Sequence, residues 1–160
     1  MSRAARIGIG YDIHPLAKGR ALMLGGVPVE SGAGLDGHSD ADVLLHAICD
    51  AILGALGLGD LGEHFPGTPE YKDISSRILL ERVAAMMDEK GYRLGNLDCI
   101  IHAEEPRLAP YRKSMIETIA GCLGAPQEDI SVKATRGEGL GPVGEKKGMA
   151  ATAVVLLEKQ

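Results

Sequence analysis

Tryptophan is absent from the 160 residues and phenylalanine occurs once, so the aromatic share is 3% while the apolar share is 45%. Any core must therefore be built from aliphatic and small side chains. Cysteine is equally scarce: Cys49, Cys99 and Cys122 are odd in number and show no CxxC spacing. That argues against a disulfide framework or a cysteine zinc site, and buried, reduced thiols are expected. Lys and Arg number 17 against 22 Asp and Glu, a net charge of −5, and no basic cluster occurs. A nucleic-acid surface is disfavoured, because phosphate backbones are held by concentrated positive charge. A small anionic ligand held by a metal and backbone amides remains compatible. No apolar run reaches membrane-spanning length and the N-terminus lacks a signal-peptide pattern, so a cytoplasmic location is expected. The length suits one compact core, hence a single domain over residues 1–160.

What the chain does have is glycine, 22 residues, about twice the usual share. Several fall in GLGDLG at 57–62 and in GEGLGPVG at 137–144. Neither stretch matches a P-loop or a dinucleotide fingerprint, and ordinary turns are the favoured reading over phosphate cradles.

The chemistry-bearing residues concentrate in two places. If residues 40–56 are helical, Asp42, His46 and Asp50 share one face of a helix that is otherwise apolar. In RIGIGYDIH, a short strand stopped by Pro15, Asp12 and His14 point to the same side. A helix side chain could complete a shell of one carboxylate and two imidazoles, which suits a catalytic zinc with an open position. The competing reading is a hydrogen-bonded Asp-x-His pair beside an N-capped helix, with Ser39 or Asp40 as the cap. Capping does not require His38 or His46, and both readings can hold together.

Strand signals lie at 4–13, 20–24 and 27–30 around a Gly25-Gly26 turn, and at 97–103, 130–135 and 149–157. Helix signals lie at 40–56, 74–90 and 110–123, with Gly91 where the second would stop. The expected class is α/β of the α+β type: a mixed sheet with helices on one face.

Three motifs in order, DIH, HSDADVLLHAICDAILGALGLGDLGEHFP and VKATRGEGLG before a final apolar strand, resemble the 2-C-methyl-D-erythritol 2,4-cyclodiphosphate synthases of non-mevalonate isoprenoid biosynthesis from end to end. The resemblance implies a homotrimer with sheets facing the axis and active sites between subunits. It also implies a phosphorus–oxygen lyase reaction, in which 4-diphosphocytidyl-2-C-methyl-D-erythritol 2-phosphate cyclises with release of CMP. Asp12, His14 and His46 are implied zinc ligands, and Glu138 the ligand of a second divalent ion, Mg2+ or Mn2+. His38 would stabilise transition-state charge with Ser39 beside it. Asp60, Leu61, Gly62 and Phe65 would meet the methylerythritol part, and Asp50 would orient a metal ligand. Cytosine would lie against residues 103–109, including Ala103, Pro106 and Arg107, and against Ala134 and Thr135.

The chain departs from the family pattern at three points. Arg136 follows Thr135 where the family carries further threonines, and it is a candidate for stabilising the transition state. The loop after Pro66 reads Gly67-Thr68-Pro69-Glu70, with fewer aspartates and one residue less. Pro142 and Glu145 replace an aromatic residue and an arginine at the trimer axis, where an acidic ring would repel an isoprenoid diphosphate. Two other functions remain open: a zinc-dependent phosphohydrolase, and a non-catalytic cytidine-nucleotide-binding trimer.

Overall fold

A computed structural model describes residues 5–160. Strand β1 (Ala5–Ala17) pairs antiparallel with β7 (Gly148–Lys159), which pairs antiparallel with β5 (Tyr92–His102); β5 pairs parallel with β6 (Ile130–Thr135). On its other side β1 meets the short β4 (Gly34–Leu35), giving the order β4-β1-β7-β5-β6, while β2 (Leu22–Leu24) and β3 (Val27–Val29) form a separate hairpin. Helices α1 (Val43–Leu56), α3 (Ser76–Glu89) and α4 (Arg112–Leu123) pack on the sheet, and α2 (Leu61–His64) and α5 (Gly141–Gly144) are single turns. This is the mixed α/β architecture expected, although β4 and both single-turn helices carried no sequence signal. The one-turn helix α5 lies inside the second glycine-rich stretch and α2 starts at the end of the first; the glycines elsewhere in them serve turns and caps.

Strand alternation divides β1 into two faces. Gly8, Gly10, Asp12 and His14 face α1, and the helix comes so close that a Cβ on Gly10 would stand 1.9 Å from the Ala47 carbonyl oxygen. At Gly8 the corresponding distance to the Ala51 oxygen is 1.8 Å. The glycines that look like punctuation are thus what lets a helix backbone lie directly on a strand. On the other face Ile7, Ile9, Tyr11 and Ile13 are exposed, alongside Val154 of β7, which pairs with Ile9.

Strand β5 starts at Tyr92, five residues before the expected 97, and two further boundaries differ for identifiable reasons. β1 is not stopped by Pro15 but runs to Ala17, because Pro15 falls at the last pair with β7, where the strand passes to β4. Helix α1 starts at Val43, since its cap is neither Ser39 nor Asp40 but Asp42, whose side chain accepts from the Leu45 N–H. Asp42 also accepts from the amides of Gly25 and Gly26 at 3.0 and 2.7 Å, fixing the β2–β3 turn on the helix start. All three cysteines are free and buried.

Candidate metal centre and nucleotide cleft

Same-side projection from β1 puts Asp12 and His14 against α1, where His46 lies one turn beyond the cap. The His14 Nε2 and His46 Nδ1 atoms lie 2.9 and 3.0 Å from Asp12 Oδ2, and 3.3 Å from each other. A tetrahedral zinc with bonds of about 2.0–2.1 Å separates its donors by roughly 3.3 Å, so the triangle is near the size such an ion needs.

Outer hydrogen bonds aim the donors. His14 Nδ1 is 2.9 Å from the Asp36 carbonyl, which can only accept, so Nδ1 carries the proton and the Nε2 lone pair faces the triangle. His46 Nε2 lies 2.8 Å from Ser76 Oγ and 3.1 Å from Ser39 Oγ. The Ser76 hydroxyl donates onward to the Asp40 carboxylate, so it accepts from Nε2–H and leaves the His46 Nδ1 lone pair facing inward. Two lone pairs and a carboxylate oxygen crowded together require a cation between them, either a proton or a metal ion. Protonation shows the same pull. The bond to Asp12, working against burial, raises the His14 imidazole above its ordinary 6.5. Burial pushes the Asp12 carboxyl up, but the pull of the His14 and His46 imidazoles, realised when a proton lies between them and the carboxylate, outweighs it and brings it to about 2. Among the described residues this is the group of three or more His, Cys, Asp or Glu side chains placed to hold a metal ion.

Asp36, Asp40 and Ser76 carried no site signal in the sequence, because each acts through a partner far along the chain. Conversely, the helical stripe of Asp42, His46 and Asp50 splits three ways. Asp42 is the buried cap, raised to about 6 by burial against its bonds from Gly26 and Leu45. Asp50 accepts from the Leu61 amide at 2.7 Å and so holds α2, rather than touching a metal ligand as expected.

His38 is exposed, with Nε2 2.7 Å from the Thr68 carbonyl, which ties it to the loop after Pro66. Ser39, buried on His46, is thereby part of the imidazole's support. Asp60 caps α2 by accepting from the Glu63 amide at 3.0 Å, and Leu61 and Gly62 form the turn it starts. Phe65 meets Tyr71 edge to face, and the Arg82 guanidinium lies 5.9 Å from both rings, clamping this loop to α3.

The remaining candidates gather at the far edge of the sheet. Ala103, Pro106, Arg107, Ala134, Thr135 and Arg136 line one cleft of about 490 Å³ where β5 and β6 end. Arg136 is not a free cation: it pairs at 3.2 Å with Glu104, whose side chain is only 6% exposed, and Glu104 also accepts from the Gly137 amide. Glu138 is exposed on the following turn at a left-handed φ of 53°. Strand register puts Asp12, Ala151, Ile101 and Ala134 in one row across the sheet. Triangle and cleft therefore sit at the same level, three strand spacings or roughly 14 Å apart.

A family model described as the YgbB family matches residues 5–158. The chain is 58% identical over 153 residues to the 2-C-methyl-D-erythritol 2,4-cyclodiphosphate synthase of Moorella thermoacetica, covering 95% of this chain and 94% of that one. It is 54% identical over 154 residues to that of Desulfatibacillum aliphaticivorans, covering 96% and 99%. The solved structure of the IspF of Plasmodium falciparum in complex with CDP matches with a TM-score of 0.88 at 36% identity, over 100% of this chain and 99% of that one.

Proposed function

The chain belongs to the YgbB family, the 2-C-methyl-D-erythritol 2,4-cyclodiphosphate synthases, and on that premise we propose that it converts 4-diphosphocytidyl-2-C-methyl-D-erythritol 2-phosphate to the 2,4-cyclodiphosphate and CMP. An oxygen of the 2-phosphate bonds to the β-phosphorus, and the bond from that phosphorus to the bridging oxygen breaks, so CMP leaves with the bridging oxygen. This makes the enzyme a phosphorus–oxygen lyase acting by internal phosphoryl transfer. The observation that carries the reading is the Asp12–His14–His46 triangle with both imidazole tautomers fixed from outside.

Phosphoryl transfer asks a protein for positioning and charge neutralisation rather than a covalent nucleophile. Asp12, His14 and His46 would hold zinc, which when bound supplies Lewis acidity and a template for the attacking and accepting phosphates. Glu138 would be the one protein ligand of Mg2+ or Mn2+, a cation that keeps waters and substrate oxygens in its shell. His38 would stabilise charge on the transferring group, with Ser39 contacting phosphate. Asp60, Leu61 and Gly62 would bind the methylerythritol hydroxyls, with Phe65 beside them. Ala103, Pro106, Arg107, Ala134 and Thr135, which line one cleft, would enclose cytosine; that a cytidine nucleotide is the ligand class is favoured by the complex that the P. falciparum relative forms with CDP. Arg136 would add positive charge at the cleft, tempered by its bond to Glu104.

We read the assembly as a homotrimer with sheets facing the axis. The exposed Ile7, Ile9, Tyr11, Ile13 and Val154 support this, since a monomer seldom leaves such a stripe uncovered. So does the separation of triangle and cleft onto β1 and β6, three strands apart in the sheet, which neighbouring subunits could bring together. At the axis, Glu145 would still disfavour an isoprenoid diphosphate, although its pairing with Lys147 reduces the bare negative charge.

The test is to follow phosphorus resonances while the protein acts on the cytidylyl substrate with zinc and magnesium. CMP with a cyclic diphosphate is the expected result. Linear hydrolysis products would replace this reading with a phosphohydrolase, and CMP binding without turnover would replace it with a nucleotide-binding protein. In the same assay Glu138→Gln is expected to raise the magnesium requirement while leaving bound zinc unchanged.

A further inference from the structure

We propose that Arg20 is a positioning residue for the metal site, its guanidinium fixing the segment 36–39 that aims both zinc imidazoles and carries His38. The inference rests on reading Asp12, His14 and His46 as the zinc ligands. Arg20 Nη1 donates to Asp36 Oδ1 at 3.3 Å, and Nη2 donates to the Ser39 carbonyl at 3.0 Å. Those two residues are the ends of one short segment, and each end orients a different imidazole. The Asp36 carbonyl takes the proton of His14 Nδ1, and Ser39 Oγ sits 3.1 Å from His46 Nε2. One planar fork therefore spans the segment and sets the distance between the two outer contacts.

The backbone that carries the arginine is itself held against the strand leading into the segment. Gly34, the first residue of β4, lies so close to the backbone just before β2 that a Cβ there would stand 2.4 Å from the Ala21 oxygen and 2.5 Å from the Arg20 oxygen. From Gly34 the chain runs through Leu35 directly into Asp36, so Arg20 and the segment it grips share one rigid base. A lysine would not reproduce this, because the two contacts are made by two separate nitrogens of a rigid planar fork and an ammonium has only one nitrogen.

The Arg20–Asp36 ion pair has little to do with folding. Its side chains are 31% and 58% exposed, and exposed pairs contribute little. Removing the fork should therefore loosen the aim of His14 and His46 without melting the protein, which separates positioning from a merely structural role.

The experiment measures zinc affinity by competition with a chromogenic chelator, well below the melting temperature, for wild type, Arg20→Met and Arg20→Lys. Thermal melts of the zinc-free proteins run in parallel. We expect Arg20→Met to bind zinc about tenfold more weakly, the scale for losing an outer support of a metal ligand. Arg20→Lys should be intermediate, with melting temperatures nearly unchanged. Equal zinc affinity in wild type and Arg20→Met overturns the proposal, as does a loss that merely tracks the unfolded fraction. A wild type that binds no zinc would instead remove the metal reading, and this inference with it. Should Arg20→Met fail to fold, Asp36→Ala frees Nη1 yet keeps the carbonyl on His14; a few-fold weakening is expected, and none would overturn the proposal.

Discussion

The two faces of strand β1 do opposite things with the same backbone. One face carries Gly8, Gly10, Asp12 and His14, turned toward α1 and in backbone contact with it at the two glycines; the other carries Ile7, Ile9, Tyr11 and Ile13, apolar and open. The first face owes its chemistry to what it lacks, since only missing side chains at 8 and 10 let α1 bring His46 to Asp12. The second owes its role to bulk. Residues one position apart should therefore differ greatly in what a substitution does.

The sharpest break is predicted at Gly10. Gly10→Ala drives a Cβ into the Ala47 carbonyl, a backbone atom that cannot swing away. The expected cost is roughly 3 kcal/mol or more, at the upper end for overpacking, read as a large loss of chemical-denaturation midpoint or of soluble protein. Next comes His46→Ala, which should leave the fold intact but weaken zinc more than about 100-fold, beyond the range for an outer support. Undiminished zinc by elemental analysis would remove His46 from the centre.

Acidification should act on the same face by proton competition. A metal ligand must be deprotonated, and His14 lies above 6.5 while Asp12 stays ionised to about 2. Zinc affinity is thus expected to be full above the raised His14 value and to fall as pH drops through it, with Asp12 contributing no titration in that window. A chelator competition series across pH 5–8 checks the direction.

On the open face the expected change in chain stability is small. Ile9 is 70% exposed, so Ile9→Lys should shift the unfolding free energy of a single chain by no more than about 0.5 kcal/mol. In the proposed trimer its effect would fall on association: light scattering should report a lower mass than wild type. An unchanged mass would say that this stripe is not what the subunits share. Smallest of all, the cysteines should do nothing. Burial pushes Cys99 up to about 12 and Cys49 well above its ordinary value, so neither should be alkylated by iodoacetamide at pH 8 until the chain is unfolded.

The same contrast explains what could be read from the sequence. Alternation along a strand is a local rule, so Asp12 and His14 were legible as a same-side pair, and His46 was legible as the helical imidazole to join them. The helical rule placed Asp42 and Asp50 on that face too, but facing is not touching. Asp42 had three amides to satisfy at the helix start, and Asp50 was closer to α2 than to the imidazoles. Asp36, Asp40 and Ser76 were illegible because their work depends on loops and a second helix arriving from elsewhere. Gly8 and Gly10 were visible as residues but not as a helix seat, since periodicity registers side chains and their function is to have none. The cleft residues at 103–109 and 134–135 came from family likeness alone; nothing in their spacing announces that β5 and β6 end side by side.

The Gly25-Gly26 turn, held by Asp42, has a further meaning. Two successive amides converging on one anion are how loops elsewhere capture phosphate. Here the seat is filled from within: the turn is a receptor whose ligand is residue 42 of its own chain. Because that ligand is the N-cap of α1, the hairpin turn is seated on the end of the helix that bears His46. Opening the turn would strand a carboxylate in an apolar interior, at a cost of several kcal/mol. Hairpin and metal helix are thereby interlocked, each serving as the other's clasp.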